Sequence, residues 1–296
     1  MDLRALRYFV EVVREGGFSA AAKTAFATQP TLSKAVRQLE DELGLPLLER
    51  IGHRILPTPA GEIVYRRALG LLAARQDLLA ELDDLRGLRR GVLRLGLPVL
   101  GSHLLFAPLF ATYRQRYPGV EIQLLERGSQ FMEEAVLAGQ IELAGSLLPI
   151  PETFDWQMVC EEPMVALLPR AHPLAGTPAV TLAELADSAF ILFEGGFALN
   201  RIIINACQQL GFTPREAARS AQPDFIVALV AAGLGIGLLP RLIAEQRPHP
   251  QVCYAPLAGE QAPRWQLALS WRRGSYLSPA ARAWLNLART IGGTSS

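Results

Sequence analysis

One stretch of the sequence carries residues able to read nucleic acid base by base. Gln29, Pro30, Thr31, Ser33, Lys34 and Arg37 lie in a segment whose apolar residues, Leu32, Val36, Leu39 and Leu43, recur at helical spacing. Pro30, Ser33, Lys34 and Arg37 fall at i, i+3, i+4 and i+7, on the opposite face of the same helix. Gln29 can pair with an adenine edge, and Lys34 or Arg37 with guanine or a phosphate. Pro30 can touch a thymine methyl, while Thr31 and Ser33 suit either kind of partner. Between Thr24 and Leu39 every charge is positive, and Glu40, Asp41 and Glu42 gather at the helix end. That order opposes the helix dipole, yet it keeps acids away from the end that must approach phosphates. The helix alone leaves open a simpler alternative, a solvated charged face on an ordinary three-helix bundle.

The neighbouring elements supply what such a helix needs. Leu6, Phe9, Val10 and Val13 form the stripe of a first helix that ends at Gly16-Gly17. Ser19 is placed to cap a second helix from Ala20 to Phe26, and the third begins near Thr28 and stops at Gly44. From Arg50 to Pro57 a glycine turn between short apolar arms suits a β-ribbon. Its Arg50, His53 and Arg54 lie where a wing would meet flanking phosphate or the minor groove. Thr58-Pro59 then opens a long helix reaching Leu85 or Leu88. Within it Val64, Leu71, Leu78 and Leu85 repeat every seven residues, with Ala68, Arg75 and Leu82 in the alternate seam. The spacing favours a helix pair, and ordinary packing inside one chain stays open beside it.

Beyond Gly91 strand-like runs alternate with helical ones in two series, which predicts a mostly parallel sheet covered by helices. Two such series imply two α/β halves with a ligand cleft between them. The 296 residues, half of them hydrophobic, suit two domains with a sizeable core and exclude disorder. Net charge is only +1, and residues 1–60 carry eight Lys and Arg against seven Asp and Glu. DNA affinity must therefore come from a few placed cations and from doubling. Cys160, Cys207 and Cys253 have no metal or redox spacing and read as free thiols in a reducing cytosol. The opening residues lack the apolar core of a signal peptide. The charge-free run Phe225 to Leu239 is too short and too glycine-rich to span a bilayer, so a soluble cytoplasmic protein with no membrane partner is expected. His53, His103, His172 and His249 share no ligand spacing, and no Ser/His/Asp set can be assembled. Gly233 to Gly237 follows a helix and opens a strand, the reverse of a dinucleotide loop. No cofactor, no metal and no enzymatic activity is the expectation.

Several runs are more specific than periodicity. They are Leu6-Arg7-Tyr8-Phe9, Gly17-Phe18-Ser19-Ala20-Ala21-Ala22, Thr28-Gln29-Pro30-Thr31-Leu32-Ser33 and Leu39-Glu40-Asp41-Glu42-Leu43-Gly44. Leu47-Leu48-Glu49-Arg50 through Thr58-Pro59-Ala60-Gly61 follows, and Ala231-Ala232-Gly233 to Leu239-Pro240 lies far downstream. With these runs the whole chain resembles the LysR-type transcriptional regulators. It departs at Leu48, where phenylalanine is common, and at His53, where a wing arginine is frequent.

The resemblance implies an α/β protein with an N-terminal winged helix-turn-helix at 1–58, its helix-turn-helix at 18–37. A linker and dimerisation helix would follow at 59–90. A two-lobed periplasmic-binding-protein-like effector domain would cover 91–296, with lobe 1 at about 91–161 and 266–296 and lobe 2 at about 162–265. It implies a regulator whose operator binding or DNA bending is modulated by a small-molecule effector in the inter-lobe cleft. By the same resemblance Ser102, with His103 beside it, and Ser129 would line that cleft, opposed by Phe197 and Asp224. Hydroxyls and free N–H groups before a helix would suit a carboxylate, although each serine could equally be a plain N-cap and Phe197 plain core. Asp224 would argue against an acidic ligand if it faced the pocket. Implied partners are double-stranded DNA, the effector, a second copy through the linker helix and a tetramer of two dimers, with RNA polymerase as a further candidate. Two recognition helices would enter successive major grooves about 34–36 Å apart. An enzyme carrying a DNA-targeting module, and an effector-independent architectural protein, are the rival readings.

Overall fold

The apolar stripes of the first and third helices meet as expected. Helix α1 (Leu3–Glu15) buries Leu6, Phe9 and Val10 against Val36 and Leu39 of α3 (Gln29–Leu43), with α2 (Phe18–Thr24) between them in the chain. The computed structural model describes residues 2–52, 54–84 and 91–290, and only the backbone of 83, 84, 129 and 130. Asp2 caps α1 and Thr28 caps α3, each side chain accepting a backbone N–H of the first turn. Ser19 lies inside α2, and Gly17 takes the cap position. The hydroxyl of Ser19 donates instead to Gln29 Oε1 (3.2 Å). Helix α2 also stops two residues short of Phe26. There Ala27 N–H bonds to Ala22 O and Phe26 N–H to Lys23 O, a closing pair that satisfies the last carbonyls and turns the chain.

The wing is a two-stranded ribbon of β1 (Leu48–Ile51) and β2 (Arg54–Pro57), with Ile51 opposite Arg54. Ile55 N–H bonds to Gly16 O (2.9 Å) and ties the ribbon to the end of α1. Glu40 Oε1 accepts the amides of Leu47 (2.8 Å) and Leu48 (3.3 Å). One of the acids that offend the dipole of α3 is therefore the group that fixes where the wing starts.

Helix α4 (Pro59–Asp84) begins on the expected threonine: Thr58 Oγ1 accepts Gly61 N–H and donates to Pro46 O. The seam reading changes over its first half. Ala68 and Leu69 are buried against α1, and Val64, Tyr65 and Leu72 pack on the same cluster. Ile63, Leu71, Leu78, Leu79 and Leu82 remain exposed. Positions 64 and 68 thus serve packing inside the chain, and the uncovered stripe starts one residue earlier, at Ile63. Leu85, and the linker to residue 90, lie outside the described residues.

The remaining chain runs β3 (Gly91–Leu97), α5 (Ser102–Leu105), α6 (Ala107–Arg116), β4 (Val120–Glu126), α7 (Ser129–Leu137) and β5 (Leu143–Leu147). A 16-residue strand, β6 (Phe154–Pro169), leads to β7 (Val180–Thr181), β8 (Ala189–Phe193), α8 (Ala198–Gln209), β9 (Arg215–Ser220) and α9 (Pro223–Ala231). Then come β10 (Ile236–Pro240), α10 (Arg241–Ala244), β11 (Val252–Ala258), β12 (Arg264–Arg272) and α11 (Pro279–Ala288). The strand order is β4-β3-β5-β12-β6-β10-β8-β9, with β11 beside β6 and β7.

This sheet is mixed rather than mostly parallel. The flanks β3/β4/β5 and β8/β9/β10 are parallel, but β12 and β6 run antiparallel to each other and to their neighbours. Two strands at the centre have opposite directions because the chain leaves the first half through β6 and re-enters it through β12. The first part of β6 pairs with β12 and the rest with β10 and β11, so a single strand spine joins the two halves. In the first half, Phe106 and Tyr113 are fully buried with their rings against the buried Trp284, and Tyr113 Oη donates to Ala280 O. Phe106 is also the residue between α5 and α6. Among the described residues no helix is long and apolar enough to cross a membrane.

Candidate nucleic-acid interface and ligand cleft

The recognition face is built from the start of α3 outward. Gln29, Pro30, Thr31, Lys34 and Arg37 are exposed, and Ser33 is half-buried at the edge of a groove that α3 forms with the wing. Thr31 Oγ1 and Thr28 Oγ1 lie 2.8 Å apart, and Gln29 is oriented by Ser19. These interactions fix side chains in position before any base arrives. Arg50 lines the groove and donates to Gly52 O (3.2 Å), and Arg54 is exposed on the other strand, opposite Ile51. Among the described residues Lys34, Arg37 and Arg54 have no carboxylate partner, so their charge is available to phosphate or guanine. His53 lies outside the described residues.

A second site lies between the two halves of the sheet. A cavity of about 110 Å³ is lined by Val99 and Leu100 after β3, Arg127 and Gly128 after β4, Phe197 and Ala198 before and in α8, and Trp265 of β12. Three loops from both halves therefore converge, beside β12, where strands end and helices begin, the usual place for ligands in such sheets. Gly128 approaches Gly196 so closely that an added Cβ would stand 3.3 Å from its carbonyl oxygen. The halves touch there without side chains in the way. Neither α7 nor α8 has a side-chain N-cap, and both start at this cavity. Arg127 is exposed, with its guanidinium 5.6 Å from the Phe131 ring and no acid paired to it among the described residues. The cavity combines apolar walls with one cation and two helix starts, which favours an anionic group on a compact apolar body. Nearby, burial pushes the Glu133 carboxyl above its ordinary range, and Arg201 across the cleft partly offsets this.

The expected cleft residues are only partly brought together. Phe197 lines the cavity and stacks on Phe193 (5.0 Å between ring centroids). Ser102 is buried with its hydroxyl donated to Pro98 O, His103 is exposed, and neither belongs to the lining. Asp224 is largely exposed and pairs with Arg247 (2.9 Å), away from the cavity. The objection it raised to an acidic ligand therefore falls. Ser129 opens α7, but its side chain lies outside the described residues. The expected residues lie in or beside three of the segments around this cavity, and Arg127, Leu100 and Trp265 of its lining were not among them. An arginine between a strand-like run and a helical one was the available signal for Arg127.

One element joins the cleft to the DNA-reading region. Helix α7 starts at the cavity and ends, about 13 Å on by its rise, against α1 and α4. At that end Arg14 of α1, 1% exposed, donates to Gln140 Oε1 (2.8 Å) and Glu134 O (2.7 Å), with Glu11 and the Glu134 carboxylate beside it. Gln140 Nε2 donates back to Glu11 (2.7 Å), and Tyr65 Oη of α4 donates to Glu134 (3.1 Å). Burial pushes the Tyr65 hydroxyl above its ordinary range, so it stays a donor. Gly139, at φ +68, lets the end of α7 lie against the linker: a Cβ there would stand 2.9 Å from Ala73 Cα. Arg272 pairs with Asp77 of α4 and closes the latch. No periodicity foretold it, because its members are far apart in the chain.

Comparison with known proteins assigns these parts to one group. Residues 3–62 match the model for the bacterial regulatory helix-turn-helix protein, lysR family, and residues 86–291 match the LysR substrate binding domain. The HTH-type transcriptional regulator YwbI of Bacillus subtilis is 37% identical over 286 residues, 96% of this chain and 95% of its own length. Among solved structures, full-length OxyR from Pseudomonas aeruginosa superposes with a TM-score of 0.66 at 26% identity, covering 98% of this chain and 94% of its own. Full-length BenM does so with a TM-score of 0.60 at 28% identity, covering 98% and 96%.

Proposed function

The chain belongs to the LysR-type transcriptional regulators, which bind DNA through a helix-turn-helix under the control of an effector, and from that premise we propose that a small anion in the cavity between the lobes sets how the recognition helices meet their operator. The observation that carries the proposal is that the cavity and the helix-turn-helix share α7. A ligand that draws Arg127 and Gly128 toward α8 moves the start of a helix whose end is latched to α1 through Arg14. Its leverage is bounded by its differential affinity for the two arrangements.

Gln29, Pro30, Thr31, Ser33, Lys34 and Arg37 take the role of base and phosphate contacts, with Arg50, His53 and Arg54 at the flanks. The effector contacts are Arg127, Val99, Leu100, Phe197 and Trp265, with Ser129 retained because it opens α7. The reading includes residues 1–58 as the reading domain, 59–90 as the linker helix and 91–296 as the effector domain. It pairs two copies through the exposed α4 stripe and assembles two dimers into a tetramer. RNA polymerase is the protein that such a complex would engage at a promoter. The chain works in the cytoplasm and turns over nothing it binds. In support of that last point, similar proteins are named as transcriptional regulators.

The test is a thermal-shift screen of small carboxylic acids against the full-length chain and against Val99→Trp. Val99 is 55% exposed at the cavity rim, so bulk added there disturbs little of the core. The expected result is that at least one acid raises the melting temperature of the wild type and leaves the variant unmoved. Stabilisation of both proteins by the same acid would place the ligand elsewhere.

A further inference from the structure

Phe26 combines two features that are unfavourable within the chain. Its side chain is 97% exposed, the most exposed large apolar residue among those described. Its backbone sits at φ +50, the only described residue other than glycine at positive φ. The position is the one that follows the cap of α2, where the Ala27-to-Ala22 and Phe26-to-Lys23 hydrogen bonds close the helix. Glycine adopts that conformation most readily, and an aromatic side chain is among the least suited to it. Its neighbours Ala25 and Ala27 turn inward and pack beneath α1 and α3, so the turn itself is satisfied without the ring. Among the described residues nothing compensates for a phenylalanine held out in water at this point.

The surroundings indicate what does. Phe26 precedes the Thr28 cap by two residues, and Thr28, Gln29, Pro30 and Thr31 are all exposed in continuity with it. Lys23 is exposed on the other side, one helical turn back. The ring therefore stands at the leading edge of the surface that meets DNA, between a cation and the base-reading start of α3. A phenyl ring gains nothing from a phosphate. In the major groove the apolar group on offer is the C5-methyl of thymine. We propose that Phe26 is a specificity-determining residue, packing on thymine methyl groups at the edge of each half-site, beyond the bases reached by Gln29 to Arg37.

The test uses the full-length chain and a duplex selected from random DNA by the wild-type protein. Phe26→Gly should keep or raise the melting temperature, because glycine relieves the backbone. It should weaken binding by about fourfold for each thymine methyl left uncovered. The slope of log affinity against log salt should stay the same, because every phosphate interaction is retained. Replacing the flanking thymines by deoxyuridine should weaken the wild type by the same factor and leave Phe26→Gly unaffected. Phe26→Leu should fall between the two. Equal affinity of Phe26→Gly and wild type overturns the proposal, as does an equal loss in both proteins on deoxyuridine substitution. A lower melting temperature accompanying the affinity loss would overturn it by making the ring structural. Normal DNA binding with impaired transcription in a purified system would assign it to a protein partner instead.

Discussion

Among the described residues no acid holds Arg37 or Lys34 on the exposed face of α3, so their contribution should appear only when DNA is present. Arg37→Ala is expected to leave the stability within about 0.5 kcal/mol of wild type and to cost about 1–3 kcal/mol of operator binding if the pairing is bidentate. Competition gel shifts against scrambled duplex check it, and unchanged affinity would put Arg37 off the DNA. The cysteines make a second prediction at this scale. Burial pushes the thiols of Cys160 and Cys207 up to about 11, above the ordinary thiol. The nucleophile is the thiolate, so alkylation of the folded chain should be about a hundredfold slower at pH 7 than for a free cysteine. It should accelerate as the pH climbs toward 11, and mass spectrometry of iodoacetamide-treated protein reads it directly. The exposed face of α3 was legible because one helix carries its residues at regular spacing. The cleft residues were not. Arg127 and Leu100 come from two loops and Trp265 from β12, and Ser102 offers a hydroxyl that the structure spends on Pro98 O.

Among elements, α7 is the one that the account depends on. Its polar latch seats a buried guanidinium between Glu11, Gln140 and Glu134, and a buried charge deprived of its partner is costly. Glu134→Leu should destabilise the chain by about 1–2 kcal/mol, because Arg14 keeps Glu11, Gln140 and the Glu134 carbonyl, and the loss should be smaller in an Arg14→Met background. A double-mutant cycle on thermal unfolding measures the coupling, and additive losses would deny the pair its role. The end of α1, both ends of α3 and the start of α4 could be read from caps and apolar stripes, since each of those signals is local. β12 was invisible for the opposite reason. Trp265, Leu267, Ala268 and Leu269 are all buried, so the strand shows no alternation, and its partner β6 lies about a hundred residues away. The heptad of α4 was half legible, because Ala68 serves α1 inside the chain whereas Leu71, Leu78 and Leu82 stay uncovered.

For the whole molecule, near-neutral charge means that one copy of the reading domain has few cations to spend on phosphate. On the proposed reading, doubling through α4 supplies the rest. Leu78→Asp, on the exposed stripe, should shift sedimentation toward the monomer and weaken operator binding at least tenfold while leaving the fold intact, because Leu78 is exposed within its own chain. A variant that stays dimeric would move the interface away from α4. The central claim, that the cavity governs the DNA complex through α7, is tested most directly by the bend of the selected operator. Fluorescence energy transfer between the duplex ends would be recorded with and without an acid that stabilises the protein. The account predicts that the acid changes the bend with wild type and leaves it unchanged with Val99→Trp. A ligand that stabilises the wild type yet alters neither bend nor affinity would contradict it.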